Sequence, residues 1–180
     1  MSSPAAATAS ARTVLRRFRR NRRGSAAVEF ALVAPVFFAL LFAIIETAII
    51  FFASQVLETV TQDSARQIMT GQAQSAAYTQ AQFKTFLCGK IPALFDCANV
   101  YVDVKSYPAF ASVSIADPID AGKNFVPNMS YSPGSAGDIV VVRVFYQWPL
   151  FVTGLGYNIA NLSGSKRLLS ATAAFRNEPF

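Results

Sequence analysis

The sequence predicts an α+β protein in which one long N-terminal helix packs on a small antiparallel sheet. An apolar run at residues 30–53 and a four-residue apolar repeat directly after it indicate the helix. Short segments rich in β-branched and aromatic residues, separated by Pro, Gly and Asn, indicate the sheet between residues 100 and 177. A chain of 180 residues has room for one modest domain besides such a helix.

The positive charge of the chain lies before residue 25. Residues 25–180 carry nine basic and ten acidic groups, whereas the whole chain has a net charge of +6. An arginine-rich arm followed at once by a span-length apolar segment marks the cytoplasmic side of a membrane helix. We therefore expect these arginines to set the topology rather than to bind nucleic acid, with the main contribution from Arg16, Arg17, Arg19, Arg20, Arg22 and Arg23.

The apolar run at residues 30–53 is long enough to cross a bilayer. As a helix it measures about 36 Å, against about 30 Å for the hydrocarbon core. The apolar core of a signal peptide has only about 7 to 15 residues, so we expect this segment to be retained. Pro35 predicts a kink rather than an end, because neighbouring helices in a membrane can satisfy the freed carbonyl.

The helical pattern continues beyond the membrane segment. Phe52, Val56, Val60, Ser64 and Ile68 recur every four residues, while polar side chains occupy the rest of the wheel. The pattern predicts one helix over residues 25–70, ended by a glycine at position 71. It divides the chain into a basic leader at 1–24, a transmembrane helix at 25–53, an amphipathic extension at 54–71 and an α+β domain at 72–180.

Two glutamates interrupt the apolar helix. Glu46 lies about 31 Å along the helix from Ser25 and is expected to reach the outer interface, where it needs no special role. Glu29 lies one turn inside the cytoplasmic edge. Its side chain either extends back toward the arginines or has a function, and its position alone leaves both interpretations open.

The segment GSAAVEF, from Gly24 to Phe30, resembles the processing site of prepilins of the tight-adherence (Tad, or Flp) class. It has the same order of features: a basic leader, a glycine, small or apolar residues, a glutamate, an aromatic residue and an apolar helix. More narrowly, residues 22–46 resemble the TadE-like pseudopilins, and the closing FRNEPF at residues 175–180 is similar to the C-terminal end of that family.

The resemblance implies a pilin-like fold and a prepilin peptidase that cuts between Gly24 and Ser25 on the cytoplasmic face. Glycine suits such a bond because a protease can approach the backbone without meeting a side chain. The cut creates an amine at Ser25, and Glu29 would become its partner within the chain or in a neighbouring subunit. Glu29 and Phe30 would then set the register between helices. An uncleaved anchor of the same appearance is the alternative.

The segment after the long helix predicts a second helix and a disulfide. Residues 76–90 carry apolar side chains on one face and read as a short helix. Cys88 and Cys97 follow in the compartment that the topology assigns to the oxidising side of the membrane. A structural bridge is favoured, because a metal site would lack histidine ligands and a catalytic dithiol would have C-x-x-C spacing.

The remaining segments predict strands and one long loop. Residues 100–107 alternate, with valines on one face and Tyr101, Asp103 and Lys105 on the other, which is typical of a half-buried strand. Residues 111–115 could form a neighbouring strand, and residues 117–137 read as an exposed loop. The apolar segment 138–148 predicts the central strand, and residues 168–177 predict the last one.

The chain shows no set of catalytic residues. It contains no histidine, P-loop, nucleophile elbow or dinucleotide fingerprint, and Asp117 and Asp120 are too few for a calcium site. We therefore expect neither an enzyme nor a cofactor.

The leading hypothesis is a minor pilin or pseudopilin that takes part in assembly of a Tad-type adhesive pilus. It would be a single-pass protein of the bacterial inner membrane with a periplasmic domain. Its partners would be the bilayer, the prepilin peptidase, other pilins and the Tad assembly platform. The alternative is an uncleaved scaffold of the pilus secretion apparatus.

Overall fold

The computed structural model describes residues 24–91, 93–153 and 157–180. They belong to two compact units, Met1–Phe42 and Ala43–Phe180. Helix α1 covers Ser25–Met69 and passes through Pro35. The predicted long helix is therefore confirmed, and the proline lies within it.

In the first unit, α1 exposes apolar side chains on every side. Phe30, Leu32, Phe37 and Leu40 are each more than half exposed. A soluble monomer rarely leaves a contiguous apolar surface of this kind in water. Among the described residues, α1 is the one helix long and apolar enough to cross a membrane.

In the second unit, one stripe of α1 is buried against the sheet. The stripe begins at Ile50 and Ala53, continues through Leu57 and reaches Ile68. Phe52, which the four-residue repeat places on this stripe, is 62% exposed. The buried stripe therefore differs by part of a turn from the predicted one at its N-terminal end.

Two short helices follow α1: α2, Gln72–Ser75, and α3, Gln80–Cys88. The helix predicted at residues 76–90 begins later because Thr79 caps α3. The hydroxyl of Thr79 accepts a hydrogen bond from the Gln82 amide, and the Gln82 side chain accepts one from the Thr79 amide. At the other end of α3, Cys88 forms a disulfide with Cys97, with Cα atoms 5.9 Å apart.

The sheet has three antiparallel strands in the order β1–β2–β3. They are β1, Val100–Tyr107, β2, Ile139–Pro149, and β3, Lys166–Arg176. Strand β2 is central and almost wholly buried because both faces of the sheet are covered. Its even-numbered valines pack with α1, and Phe145 packs on the opposite face with Leu162 and Leu168. The predicted α+β fold, a long helix with a small antiparallel sheet, is confirmed.

The strand predicted at residues 111–115 is absent. A 3-10 helix at Phe110–Ser112 occupies part of this segment. The free edge of β1 pairs instead with the long loop, where the Val104 amide donates to Ser130 O and the Ser132 amide donates to Val104 O, both at 2.8 Å. Ile115 is 56% exposed, so its apolar side chain does not belong to the buried face of a strand.

Asp103, predicted on the open face of β1, is 1% exposed. It lies opposite Arg143 in the sheet register, and an Arg143 amino group donates to its carboxylate at 2.7 Å. The Ser130 amide donates to the same carboxylate at 2.9 Å. The loop that carries Ser130 thus covers the face of β1 that the alternation leaves to solvent.

We predict that this buried carboxylate makes folding sensitive to acid. Burial by itself raises the pKa of Asp103, but the hydrogen bonds from Arg143 and Ser130 and the charges of Lys105 and Arg143 outweigh it and lower the pKa below the ordinary 3.8. A lowered folded-state pKa contributes stability that is present above the unfolded pKa and is lost as pH falls through the folded value.

The free energy of unfolding, measured in detergent micelles between about pH 6 and pH 2, should therefore fall in the wild type and fall less steeply in Asp103→Asn. Asp63→Asn, at an exposed site on α1, is the matched control and should keep the wild-type profile. Equal acid slopes in wild type and Asp103→Asn would contradict this account.

Candidate functional site

The candidate processing site lies at the first described residues. Gly24 is exposed, and α1 begins at the next residue, Ser25. A Cβ atom added to Gly24 would meet no described atom within 4 Å. Packing among the described residues therefore does not require a glycine here. The topology arginines, from Arg16 to Arg23, lie outside the described residues.

The candidate assembly residues follow within one turn of the helix. Positions 25 and 29 lie four residues apart on α1, a spacing that places them on the same side. Phe30 is 69% exposed. An amine at position 25 would thus lie on the side of the helix that carries Glu29.

The structure gives Glu46 a role that the sequence analysis did not assign. Its side chain is buried, and its carboxylate accepts hydrogen bonds from a loop at residues 150–153, here called the membrane-end loop. The Phe151 amide donates to Oε1 at 2.6 Å, and the Val152 amide donates to Oε2 at 3.1 Å. The next residue of α1, Thr47, shares a hydrogen bond with the hydroxyl of Tyr157.

These contacts explain how a carboxylate fits into an apolar helix. A buried carboxylate needs hydrogen-bond donors, and a backbone amide of a loop needs an acceptor. Glu46 and the two amides satisfy each other. Glu46 and the loop amides are more than 100 residues apart in the sequence. The contact uses backbone amides, which the residue types Phe and Val do not reveal, so no local sequence pattern could have predicted it.

Near the C-terminus, Asn177 holds the start of β2. Asn177 is 3% exposed, and its backbone amide donates to Asp138 O at 2.9 Å. Its Nδ2 donates to Pro133 O at 2.9 Å and to Ser135 O at 3.0 Å. The asparagine of the FRNEPF segment is therefore a structural residue that fixes the loop before the central strand.

The last residues close the C-terminal end of α1. The Glu178 amide donates to Met69 O at 2.9 Å, which satisfies a carbonyl that the helix leaves open. Gly71 follows with φ 75°, and a Cβ there would lie 2.3 Å from the ring of Phe180. Glycine at position 71 is thus required both by its conformation and by the approach of the C-terminal phenylalanine.

Comparison with known proteins gives one family match. The model of the TadE-like protein family matches residues 24–66 of the 180-residue chain. The matched segment starts at Gly24 and contains Glu29 and Glu46. The searches of curated proteins and of solved structures found no match.

We predict that Glu46→Ala frees the membrane-end loop. Each loop amide that loses its acceptor without water beside it costs about 1 to 3 kcal/mol, so the Phe151 and Val152 amides should exchange hydrogen about fivefold faster or more. Hydrogen exchange followed by NMR in detergent micelles measures this. Glu58→Ala, three turns further along α1, is the matched control and should leave both amides protected. Unchanged protection in Glu46→Ala would refute the pairing.

We also predict that Asn177→Asp destabilises the domain. The change keeps the shape of the side chain but replaces the two Nδ2 donors with an oxygen that faces two carbonyls. The free energy of unfolding in urea should fall by about 2 kcal/mol or more. Asn158→Asp, at an exposed position, should change it by less than about 0.5 kcal/mol. Equal stabilities of the two variants would rule out this role for Asn177.

Proposed function

We propose that this chain, whose residues 24–66 carry the TadE-like sequence, is a minor pilin or pseudopilin that takes part in assembly of a Tad-type adhesive pilus. The observation that carries the proposal is a coincidence of boundaries. The family match starts at Gly24, and α1 starts at Ser25, directly after an arginine-rich leader. The TadE-like family is a structural kind of protein, in keeping with a role in assembly rather than catalysis.

Processing by a prepilin peptidase between Gly24 and Ser25 is the first step of this proposal. Gly24 is exposed, and packing among the described residues does not account for it. A glycine that packing among the described residues does not require supports a role in the approach of a protease to the backbone. The cut would remove the leader at residues 1–24 and leave a membrane helix at 25–53, its extension at 54–71 and the domain at 72–180.

Docking of α1 against other pilin helices is the second step. The new amine at Ser25 would lie one turn from Glu29, and a cation beside a carboxylate reduces the cost of placing either in an apolar environment. The exposed apolar side chains of the first unit, including Phe30, supply the surface for packing against lipid or other helices. Glu29 then sets the register by accepting a hydrogen bond from the protonated amine of its own chain or of a neighbour.

The bacterial inner membrane is the proposed location, with the N-terminus in the cytoplasm and the domain in the periplasm. The arginines before residue 25 support this orientation. The disulfide between Cys88 and Cys97 fits an oxidising compartment. The proposed partners are the bilayer, the prepilin peptidase, other pilins and the assembly platform.

The N-terminus of the protein, read by mass spectrometry in native membranes with and without an active prepilin peptidase, tests the first step. A mature chain that begins at Ser25 only when the peptidase is active is the expected result. A Gly24→Leu variant should stay uncut, because the added side chain blocks the approach. An intact leader in both membranes would overturn the proposal and leave an uncleaved scaffold of the secretion apparatus.

For the second step, we predict that Glu29→Gln separates cleavage from assembly. The variant should be cut at the same bond, but it should be lost from sheared pilus fractions at least about tenfold, because the neutral amide no longer pairs with the amine. Glu178→Gln is the matched control, since that side chain is exposed at the far end of the chain. Normal incorporation of Glu29→Gln would contradict the docking role.

A further inference from the structure

We propose that the membrane-end loop enters the bilayer leaflet on the domain side and anchors the second unit there through Phe151. This inference rests on the proposed membrane span of α1. It adds a second, lipid-binding contact that comes from the sheet part of the chain. The partner is the acyl and headgroup boundary of a phospholipid bilayer.

The first step is the position of the membrane boundary on α1. Within the second unit, the exposed side chains of α1 stay apolar from Ile44 through Ile49 to Phe52. The next exposed side chain is that of Gln55, and polar residues hold the exposed side from there on. The lipid-facing surface of α1 therefore ends between Phe52 and Gln55.

The second step is the depth of the loop. Glu46 precedes Phe52 by six positions, or about 9 Å along the helix axis. Side chains on a helix tilt toward its N-terminus, so the Glu46 carboxylate does not extend along the axis toward Phe52. The Phe151 amide lies 2.6 Å from this carboxylate. The loop backbone thus lies on the membrane side of the boundary.

The third step is the composition of the loop. Phe151 is 84% exposed, although Leu150 beside it is buried in the core. Moving such a side chain from water into lipid is favourable because it removes apolar surface from water. The buried Leu150 holds the loop to the domain while the phenylalanine projects from it.

The fourth step is how the loop backbone fits into lipid. Irregular backbone is tolerated at membrane depth only where its polar groups find partners. The carboxylate of Glu46 accepts hydrogen bonds from the amides of Phe151 and Val152, which gives these two backbone donors partners within the protein. Tyr157, whose hydroxyl is hydrogen-bonded to Thr47, is a tyrosine, a residue type that is enriched at membrane interfaces. Glu46 is thus a positioning residue for a lipid contact.

A tryptophan reporter tests the proposal in the full chain. The chain has one tryptophan, Trp148, so Trp148→Phe combined with Phe151→Trp places a single reporter in the loop. The protein is reconstituted in phosphatidylcholine and phosphatidylglycerol vesicles with and without lipids brominated on the acyl chain. We expect about half of the emission to be lost, because the ring lies about 5 to 10 Å inside the boundary.

Two further reporters in the Trp148→Phe background give the reference levels. Phe37→Trp, within the proposed span, should be quenched. Phe110→Trp, 65% exposed on the 3-10 helix beside β1, should not be quenched. Quenching at position 37 but not at 151 would overturn the loop anchor and leave the proposed function standing. Quenching at neither position would overturn the membrane span itself.

Glu46→Ala, added to the Phe151→Trp reporter, should reduce the quenching at least twofold, whereas Glu58→Ala should not. Equal quenching in both would remove Glu46 from the proposal. If Trp148→Phe fails to fold, a nitroxide attached at Phe151→Cys replaces the reporter, and it should be more accessible to oxygen than to a water-soluble nickel chelate. The reverse order, or shielding only in assembled pili, would assign Phe151 to water or to a second protein chain.

Discussion

One helix has to satisfy two environments, and the rest of the fold depends on how it does so. Between Phe30 and Phe52 the exposed side chains of α1 are apolar, and they need lipid or other helices. From Ile50 to Ile68 one stripe needs a protein core, which the valines of β1 and β2 supply. The two requirements overlap for part of a turn, and the helix there presents Ile50 to the core while Phe52 stays outside.

The two glutamates of the apolar segment are accommodated in different ways. The carboxylate of Glu46 accepts hydrogen bonds from two loop amides of the same chain. Glu29 lies one turn from the residue at which the proposed cleavage creates an amine. Both oxygens of the Glu46 carboxylate thus accept hydrogen bonds inside the subunit. The proposed register between subunits therefore depends on Glu29. A carboxylate in an apolar helix can therefore serve folding in one place and assembly in another.

Regular periodicity accounts for what the sequence predicted well. The extension of α1 beyond its apolar run and the bounds of β1 follow from repeats of about four and two residues that a core enforces. The central place of β2 follows from a segment that is apolar on both faces. The errors share another cause. Residues 111–115 lack a strand because the loop around Ser130 takes the edge of β1, and the same loop buries Asp103. Glu46 and Asn177 work through contacts distant in sequence, and local patterns do not encode these.

We propose that α1 leaves the bilayer between Phe52 and Gln55. Both native cysteines are joined in the disulfide, so a cysteine introduced at Ile44, Ile49, Gln55 or Gln62 is the one thiol of the chain. Labelling with a membrane-impermeant maleimide added on the domain side measures the boundary. Cysteines at positions 55 and 62 should be labelled, and cysteines at 44 and 49 should be protected by lipid. Equal labelling at all four positions would contradict it.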